Sequence, residues 1–347
     1  MDLPGEKLVI KLWETLTEKG LGALLSPWQV GREGRARNEI RRHEILMLAQ
    51  AEADAADIRS GKKKLRSDGT LLLAGTEETP TDIDERIEPT LGLSKAVEYG
   101  SRNSVAAAAR SEINASRAIL FAEEKLAADA QVPPDRPVDD DWLFAWREQA
   151  GKVSNEDLQR LWGSVLAGEV KAPGRYSIRT LEFLKMLSKT EAETISKLAR
   201  YVIAGSIARS QLGHLESNGL SFSTLLQMQD LGVISGVESV GLTRTYQSAL
   251  TDKFIRGFVS HDKVLILEHE DPRKTAEFEI YLLTAVGEQV LELGSFEPDL
   301  EYLRLIGRDF VSKGFTVKLA DWVGISDTGG RFYNAQNITH DTPAPQC

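Results

Sequence analysis

The amino-acid sequence predicts a mainly α-helical protein with a C-terminal α/β part. Apolar residues recur at helical spacing through roughly the first two hundred residues, whereas shorter runs of the kind found in strands appear after about residue 205. The chain has 347 residues, of which 41% are hydrophobic, and this is enough to bury more than one ordinary core. We therefore predict two or three folded domains rather than a disordered chain.

Charge is distributed unevenly along the chain. The formal net charge is −10 at pH 7, which argues against the whole molecule being a nucleic-acid binder. Residues 1–66 nevertheless carry thirteen Lys and Arg against ten Asp and Glu, whereas residues 201–347 carry twelve against nineteen. We therefore expect the N-terminal part to meet an anionic surface and the C-terminal part not to do so.

The sequence indicates a cytoplasmic protein. Its single cysteine, Cys347, cannot form an internal disulfide, and this favours a reducing compartment. No run of about 18 apolar residues is present, and an N-terminus with Asp2 and Glu6 does not resemble a signal peptide. Peripheral association with a membrane surface stays open under this prediction.

Residues 1–59 are predicted to form an amphipathic, basic helical arm. Apolar side chains share one face of a helix predicted over residues 7–18, and a second apolar patch and a run of arginines follow. Such a segment can lie on an anionic lipid surface or dock on a partner; it can equally pack on the protein's own helices or on a second copy. The predicted membrane- or partner-binding residues are Leu8, Leu12, Trp13, Leu16, Leu24, Leu25, Trp28, Arg32, Arg35, Arg41 and Arg42.

Residues 60–93 are predicted to be a flexible loop and residues 94–132 a long Ala-rich helix. Glycine, proline and threonine interrupt regular structure in the loop, which also contains the basic cluster at residues 62–64. The helix follows from the high helix propensity of alanine. A second Ala-rich segment lies in the arm, and we expect the two to pair as a helical hairpin, within one chain or across a dimer.

Residues 133–204 are predicted to form a compact core of four helices joined by short loops. The first helix begins at Asp139, Asp140 and Asp141, where carboxylates suit the positive end of the helix dipole, and an N-cap is favoured over a metal site. Capping boxes are expected to start two later helices. The predicted boxes are Ser154 with Asp157 and Thr190 with Glu193.

Four aromatic side chains of this region are candidates for a binding hot spot, because aromatic residues dominate interface energies. Their helical spacing instead favours packing inside the core, as does the spacing of the apolar stripe on the second helix. The aromatic set is Trp142, Phe144, Trp146 and Trp162, and the stripe is Leu158, Leu161, Trp162, Val165, Leu166 and Val170.

Residues 205–333 are predicted to be a winged-helix-like α/β body, followed by a tail at residues 334–347. A helix over residues 223–232 precedes two strand-like runs and the segment LLTAVGEQVLEL, an order found in winged-helix modules. This helix contains Asp230 and no Lys or Arg, whereas binding to duplex DNA normally needs several cationic contacts. We therefore expect the module to bind protein or to dimerise; a DNA-associated or transcriptional regulator is the alternative function.

No catalytic or cofactor-binding motif is recognisable in the sequence, and we predict a protein that is not an enzyme. A Ser/His/Asp arrangement, a Gly-rich phosphate loop and a zinc-protease motif are all missing. His261 and His269 flank a predicted strand near acidic residues, but zinc sites need closer, convergent ligands, usually with cysteine. The prediction is therefore no metal and no cofactor, with an enzyme of unrecognised site as a third alternative.

One long block of the predicted helical core is distinctive as a whole. Residues 139–203 read DDDWLFAWREQAGKVSNEDLQRLWGSVLAGEVKAPGRYSIRTLEFLKMLSKTEAETISKLARYVI. This block resembles a bacterial domain-of-unknown-function family that includes JukB, a component of the jumbo-phage-killer (Juk) anti-phage defence system. The resemblance extends over about residues 130–330, and in the arm to Pro27, Gln29 and the Ala/Glu-rich segment beyond.

The resemblance implies a non-enzymatic role in bacterial immunity against jumbo phages. In that system a JukA-like sensor protein recruits the JukB-like component to early phage infection vesicles, which this component destabilises. The resemblance implies no active-site residues. The resulting hypothesis is a chain that is recruited through its body and acts on an anionic, membrane-like vesicle through its amphipathic N-terminus. Nucleic acid is not an expected partner, and a homo-oligomer is compatible with the hypothesis.

Overall fold

The computed structural model describes residues 5–19, 58–60, 63–65, 71–73, 93–239, 241–326 and 329–339. About half of the described residues are helical and antiparallel sheets lie toward the C-terminus, which confirms the predicted mixture of helices with a C-terminal α/β part. The chain divides into two compact units, Met1–Tyr176 and Ser177–Cys347. This division lies inside the range predicted as one helical core, so two of its four predicted helices belong to each unit.

Unit 1 is built around one long helix. In the described part of this unit, the helix lies against three shorter ones, and two short antiparallel strands occupy the region predicted as a flexible loop. The second Ala-rich segment, residues 44–58, lies outside the described residues except for Ile58. The elements are α1 Glu6–Glu18, β1 Lys63–Leu65, β2 Leu71–Leu73, α2 Leu93–Ala127, α3 Asp140–Lys152 and α4 Glu156–Lys171.

Small residues allow α2 and α4 to pack closely. Ala118 and Ala122 are fully buried on α2, and Gly163 faces them from α4. A Cβ atom at Gly163 would lie 2.7 Å from the Ala118 carbonyl oxygen and 2.7 Å from the Cβ of Phe121. The buried stripe of α4 agrees with the sequence at Trp162, Val165, Leu166 and Val170, whereas Leu158 is 47% exposed.

Side-chain caps define most of the helix starts. Asp139 accepts a hydrogen bond from the Trp142 backbone nitrogen at 3.0 Å, which confirms the predicted N-cap of α3. The cap of α4 is Asn155, one residue after the predicted serine. The later capping box is formed by Ser188 and Glu191, two residues before the predicted pair. Several neighbouring residues carry capping chemistry here, so burial of the helix faces decides which of them is used.

Unit 2 contains the remaining helices and two antiparallel sheets. Its elements are α5 Ile178–Met186, α6 Lys189–Ala199, β3 Ser206–Ala208, α7 Leu212–Ser217, α8 Phe222–Asp230, β4 Ile234–Ser235, β5 Leu242–Tyr246, β6 Phe254–Ser260, β7 Lys263–His269, β8 Ala276–Leu283, α9 Ala285–Leu291, α10 Leu300–Ser312, β9 Thr316–Ser326 and β10 Gly329–Ile338. One sheet has the order β10-β9-β7-β6; in the other, β8 lies between β3 and β4 and also pairs with β5.

The sheet topology separates segments that are neighbours in sequence. The two strand-like runs that the sequence predicts on either side of Asp271 become β7 and β8, which belong to different sheets. Residues 334–338, predicted to be the start of the tail, form the last part of β10, where Ile338 pairs with Val317. Pairing with β9 holds these polar residues in a strand, and their composition alone does not indicate this.

An aromatic cluster joins residues of both sheets to α10. Phe258 lies edge-on to Phe278 at a centroid distance of 4.9 Å, and Phe278 contacts Phe310 of α10 at 4.8 Å. Phe315 extends the cluster to Phe254 at the start of β6. Edge and tilted contacts of this kind stabilise the fold beyond the burial of apolar surface alone, so the cluster holds the start of β9 against the core.

Candidate interaction site

The apolar face of α1 lies inside unit 1. Leu8, Leu12 and Leu16 are fully buried, and α1 contacts both α2 and α4. Trp13, on the flank of this face, is half-buried. In this structure the three leucines are therefore not available to a membrane or a partner, because the protein's own helices cover them. This is the self-packing alternative that the sequence left open.

The other predicted contact residues of the arm are not part of the described structure. None of them falls within residues 5–19 or in the later described ranges. Their predicted role in contacting a membrane or partner thus stays a prediction. They are Leu24, Leu25, Trp28, Arg32, Arg35, Arg41 and Arg42.

Both ends of α1 are held against neighbouring helices. Gly5 precedes the helix with a φ of 84°, and a Cβ atom there would lie 2.2 Å from the Leu126 carbonyl oxygen. At the other end Lys19 donates a hydrogen bond of 2.7 Å to the carboxylate of Asp140 at the start of α3. This bond raises the pKa of Lys19. Glycine at the first contact is required by both the backbone conformation and the close approach.

Three of the four candidate hot-spot aromatics are core residues. Trp142, Trp146 and Trp162 are buried, and the Trp146 indole donates a hydrogen bond of 2.9 Å to the Trp162 carbonyl oxygen. Phe144 differs, because its side chain is 49% exposed. The packing interpretation thus holds for the tryptophans.

The histidines in the described residues have separate structural contacts. The His261 ring donates to the Ala199 carbonyl oxygen at 2.7 Å, and His269 accepts from the Asp271 backbone nitrogen at 3.0 Å. His214 lies 3.3 Å from the carboxylate of Asp299, the residue that caps α10. Within the described ranges no three acidic, histidine or cysteine side chains are grouped so that they could hold a metal ion.

The hairpin of β9 and β10 extends beyond the sheet to which it belongs. β7 pairs with β9 only as far as Asp321, and from there to its tip β9 pairs with β10 alone. In this extension Phe332 lies opposite Trp322, and Arg331 lies opposite Val323. Trp322 also packs against the buried cluster of Val264, Ile266 and Ala320, which connects the extension to the sheet.

The extension of this hairpin carries four exposed apolar side chains. Val323 is 55% exposed and Ile325 is 65% exposed on β9. Phe332 and Tyr333 are 50% and 49% exposed on β10. Strand pairing places Val323 and Tyr333 on one face of the hairpin and Phe332 on the other. Exposed apolar side chains that are scattered singly need no explanation, but four on the two faces of one short hairpin indicate that a partner can contact the hairpin. We call these four residues the hairpin patch.

Polar contacts fix the base of the hairpin. Lys263 donates to the Asp321 carboxylate at 2.6 Å, and the side-chain amide of Asn334 donates to the same carboxylate at 2.6 Å. These two donors lower the pKa of Asp321. Asn334 has a φ of 55° at an irregularity in the strand pairing, a conformation that asparagine tolerates better than most residues. The patch therefore projects from an ordered base.

Strand β10 is not predicted from the sequence, whose tail was placed at residues 334–347, and so the hairpin patch was not recognised. A signal was present, because FTVKLADWVGIS and GGRFYNAQNI are two β-prone runs separated by only Asp327 and Thr328. The second run is rich in polar residues and ends near an apparent tail, which concealed its strand character.

The described helices include none that is long and apolar enough to cross a membrane.

Comparison with known proteins identifies part of the chain. Residues 107–212 match the model of a family described as a protein of unknown function, DUF2806. The matched stretch begins within α2 and contains the block at residues 139–203 that is distinctive in the sequence. No curated protein and no solved structure matches the chain. Residues 107–212 of this protein are thus similar to the DUF2806 family of unknown function.

Proposed function

We propose that this protein is a partner-recruited component of a bacterial anti-phage defence system of the JukB type. The resemblance of residues 139–203 supports the defence role. Recruitment by a partner is inferred from the hairpin patch, because it presents exposed aromatic and aliphatic side chains on an ordered strand pair. In this proposal a JukA-like sensor binds the patch and brings the protein to the early infection vesicle.

The chemistry of the patch favours a protein partner. Aromatic residues are enriched where protein interfaces derive most of their energy, and an ordered hairpin loses little conformational freedom on binding. Arg331 is the one cationic residue of β10, whereas a nucleic-acid surface needs several cations to contact phosphates.

Vesicle contact in this proposal is assigned to the arm beyond α1. Leu8, Leu12 and Leu16 are covered, so the lipid-binding role passes to Leu24, Leu25, Trp28 and the arginines that follow. Flotation of the full chain with anionic vesicles tests this assignment. Leu25→Glu with Trp28→Glu is expected to abolish flotation, and flotation equal to that of the wild type would refute a lipid-binding arm.

Co-purification with the JukA-like sensor tests the role of the hairpin patch. Phe332→Ser with Val323→Ser is expected to remove sensor binding and protection against jumbo phage, because it removes apolar contact area. Both side chains are exposed, so the change is not expected to disturb the core of the protein. Leu250→Ser is the matched control, since Leu250 is 47% exposed in the same unit but lies outside the hairpin. Unchanged sensor binding by the hairpin variant would contradict recruitment through the patch.

A winged-helix DNA regulator is the second candidate, and one observation favours it. The elements α6, β3, α7, α8, β4 and β8 follow the order of a winged-helix module with β5, β6 and β7 inserted before β8, and β8 lies between β3 and β4, as the third strand of such a module does. The helix that would enter the major groove is α8, FSTLLQMQD, which has no Lys or Arg. The strand arrangement supports the winged-helix interpretation, and the missing cations favour protein binding over DNA binding.

A further inference from the structure

α1 packs on α2 and α4 in the way that an amphipathic helix packs in the groove of a partner protein. Three leucines at a spacing of four residues, Leu8, Leu12 and Leu16, form one face, which is fully buried where α1 contacts α2 and α4. Leucines at this spacing recur in helices that bind hydrophobic grooves. In sequence, α1 is far from the helices that cover its apolar face, because it ends at Glu18 and α2 begins only at Leu93.

The ends of α1 make specific contacts that a competing helix could reproduce. The start of the helix has no side-chain cap, and Gly5 lies directly on the end of α2. The far end is tied by the ion pair of Lys19 and Asp140, whose side chains are 33% and 52% exposed. An isolated helix of about this length is marginal in water, so the groove and the covalent tether together keep α1 folded in place.

We propose that the surface formed by α2 and α4 is a helix-binding site, occupied by α1 in the resting chain and open to an amphipathic helix of a partner protein. The structure specifies that helix through α1 itself: leucines at i, i+4 and i+8, a glycine before its first turn, and a cation near its C-terminus facing Asp140. Binding of the partner helix displaces α1 and frees its apolar face. This site is independent of the hairpin patch and of any role in defence.

A labelled peptide of residues 5–19 tests the site with the full chain. In wild type the tethered α1 competes with the peptide, so binding is weak. In Gly5→Ala the added methyl group would collide with the Leu126 carbonyl oxygen, so the packing of the tethered α1 is weakened. No residue of the groove is changed in this variant. This variant is expected to bind the peptide about tenfold more tightly than wild type does. A peptide carrying Leu12→Glu is the control and is expected not to bind either chain.

Charge reversal tests whether the peptide binds in the same orientation as α1. In the Gly5→Ala chain, a further Asp140→Lys change is expected to reverse the preference, so that a peptide with Lys19→Glu binds more tightly than the wild-type peptide. Equal peptide binding by wild type and Gly5→Ala, or binding of the Leu12→Glu peptide, would overturn the proposal. Loss of helical circular dichroism throughout unit 1 in Gly5→Ala would overturn it too, because α1 would then be an integral core element.

Discussion

Gly163 illustrates how a single missing side chain determines the packing of unit 1. Its backbone lies so close to α2 that a Cβ atom would be 2.7 Å from the Ala118 carbonyl oxygen and 3.0 Å from the Ala122 backbone nitrogen. The obstructing atoms belong to the backbone of a long helix and cannot rotate away. Glycine weakens an isolated helix, so its presence in the middle of α4 is explained by this contact.

Gly163→Ala is expected to lower the free energy of unfolding by about 1–3 kcal/mol, because the added methyl group forces α2 and α4 apart. Urea unfolding followed by circular dichroism measures the change. Gly100→Ala is the matched control on α2, since nothing lies within 4 Å of the added Cβ atom. There the better helix propensity of alanine is expected to raise stability by about 0.5–1 kcal/mol. A neutral Gly163→Ala would show that the helices are not in close contact.

Glu169 is an acidic residue in the interior of unit 1. It is 1% exposed, and its carboxylate accepts hydrogen bonds from the backbone nitrogens of Gly174 and Tyr176 in the turn after α4. Burial raises the pKa of Glu169, although these donors and Arg136 act in the opposite direction. The side chain therefore closes the turn at an electrostatic cost.

The raised pKa predicts how stability depends on pH. A carboxyl group with a higher pKa in the folded state contributes stability below its unfolded pKa, roughly 4.3, and this contribution is lost as pH rises through the folded pKa. Glutamine does not titrate, so the stability advantage of wild type over Glu169→Gln is expected to shrink as pH rises through this range. Denaturant unfolding across that range measures the difference, and an advantage that grows with pH would contradict the assignment.

At the scale of elements, the C-terminal end of α3 is capped by side chains from other helices. Asn114 of α2 donates to the Gly151 carbonyl oxygen at 3.0 Å, and Gln159 of α4 donates to the Val153 carbonyl oxygen at 2.9 Å. Gln159 also donates to the side-chain oxygen of Asn114 at 3.2 Å. Both side chains are buried, and they satisfy carbonyl groups at the helix end, of which that of Gly151 is buried as well.

Removal of either amide is expected to destabilise unit 1. Asn114→Ala and Gln159→Ala should each lower the free energy of unfolding by about 1–3 kcal/mol, because each leaves a buried polar group without a partner. The double variant is expected to lose less than the sum of the two, since the residues bond to each other. A double-mutant cycle by urea unfolding measures the coupling, and strict additivity would argue against a shared network.

At the scale of the whole molecule, charge bears on the choice between the two candidate functions. The chain carries a net charge of −10, and its candidate recognition helix lacks cations. We therefore expect the full chain to give no shift of random duplex DNA between about 50 and 200 mM salt. A shift that weakens steeply with salt across this range would favour the regulator over the recruited defence component.

Local chemistry was sufficient to predict the helices of residues 139–203, the Asp139 cap and the mixed class of the fold. Apolar periodicity and capping residues act within a few positions of the chain, so they can be read without knowledge of distant contacts. The division of that helical block between two units was not predictable in this way. The reason is that an apolar stripe records a buried face without recording which helix covers it.

The same reasoning explains the candidate sites. The sequence by itself determined that α1 is amphipathic, and it left open whether Leu8, Leu12 and Leu16 face outward or inward. Only the tertiary structure decided this, by placing α2 and α4 over them. The hairpin patch likewise exists because β10 pairs with β9 beyond the edge of β7, and strand pairing depends on hydrogen bonds between segments whose partners no local pattern specifies.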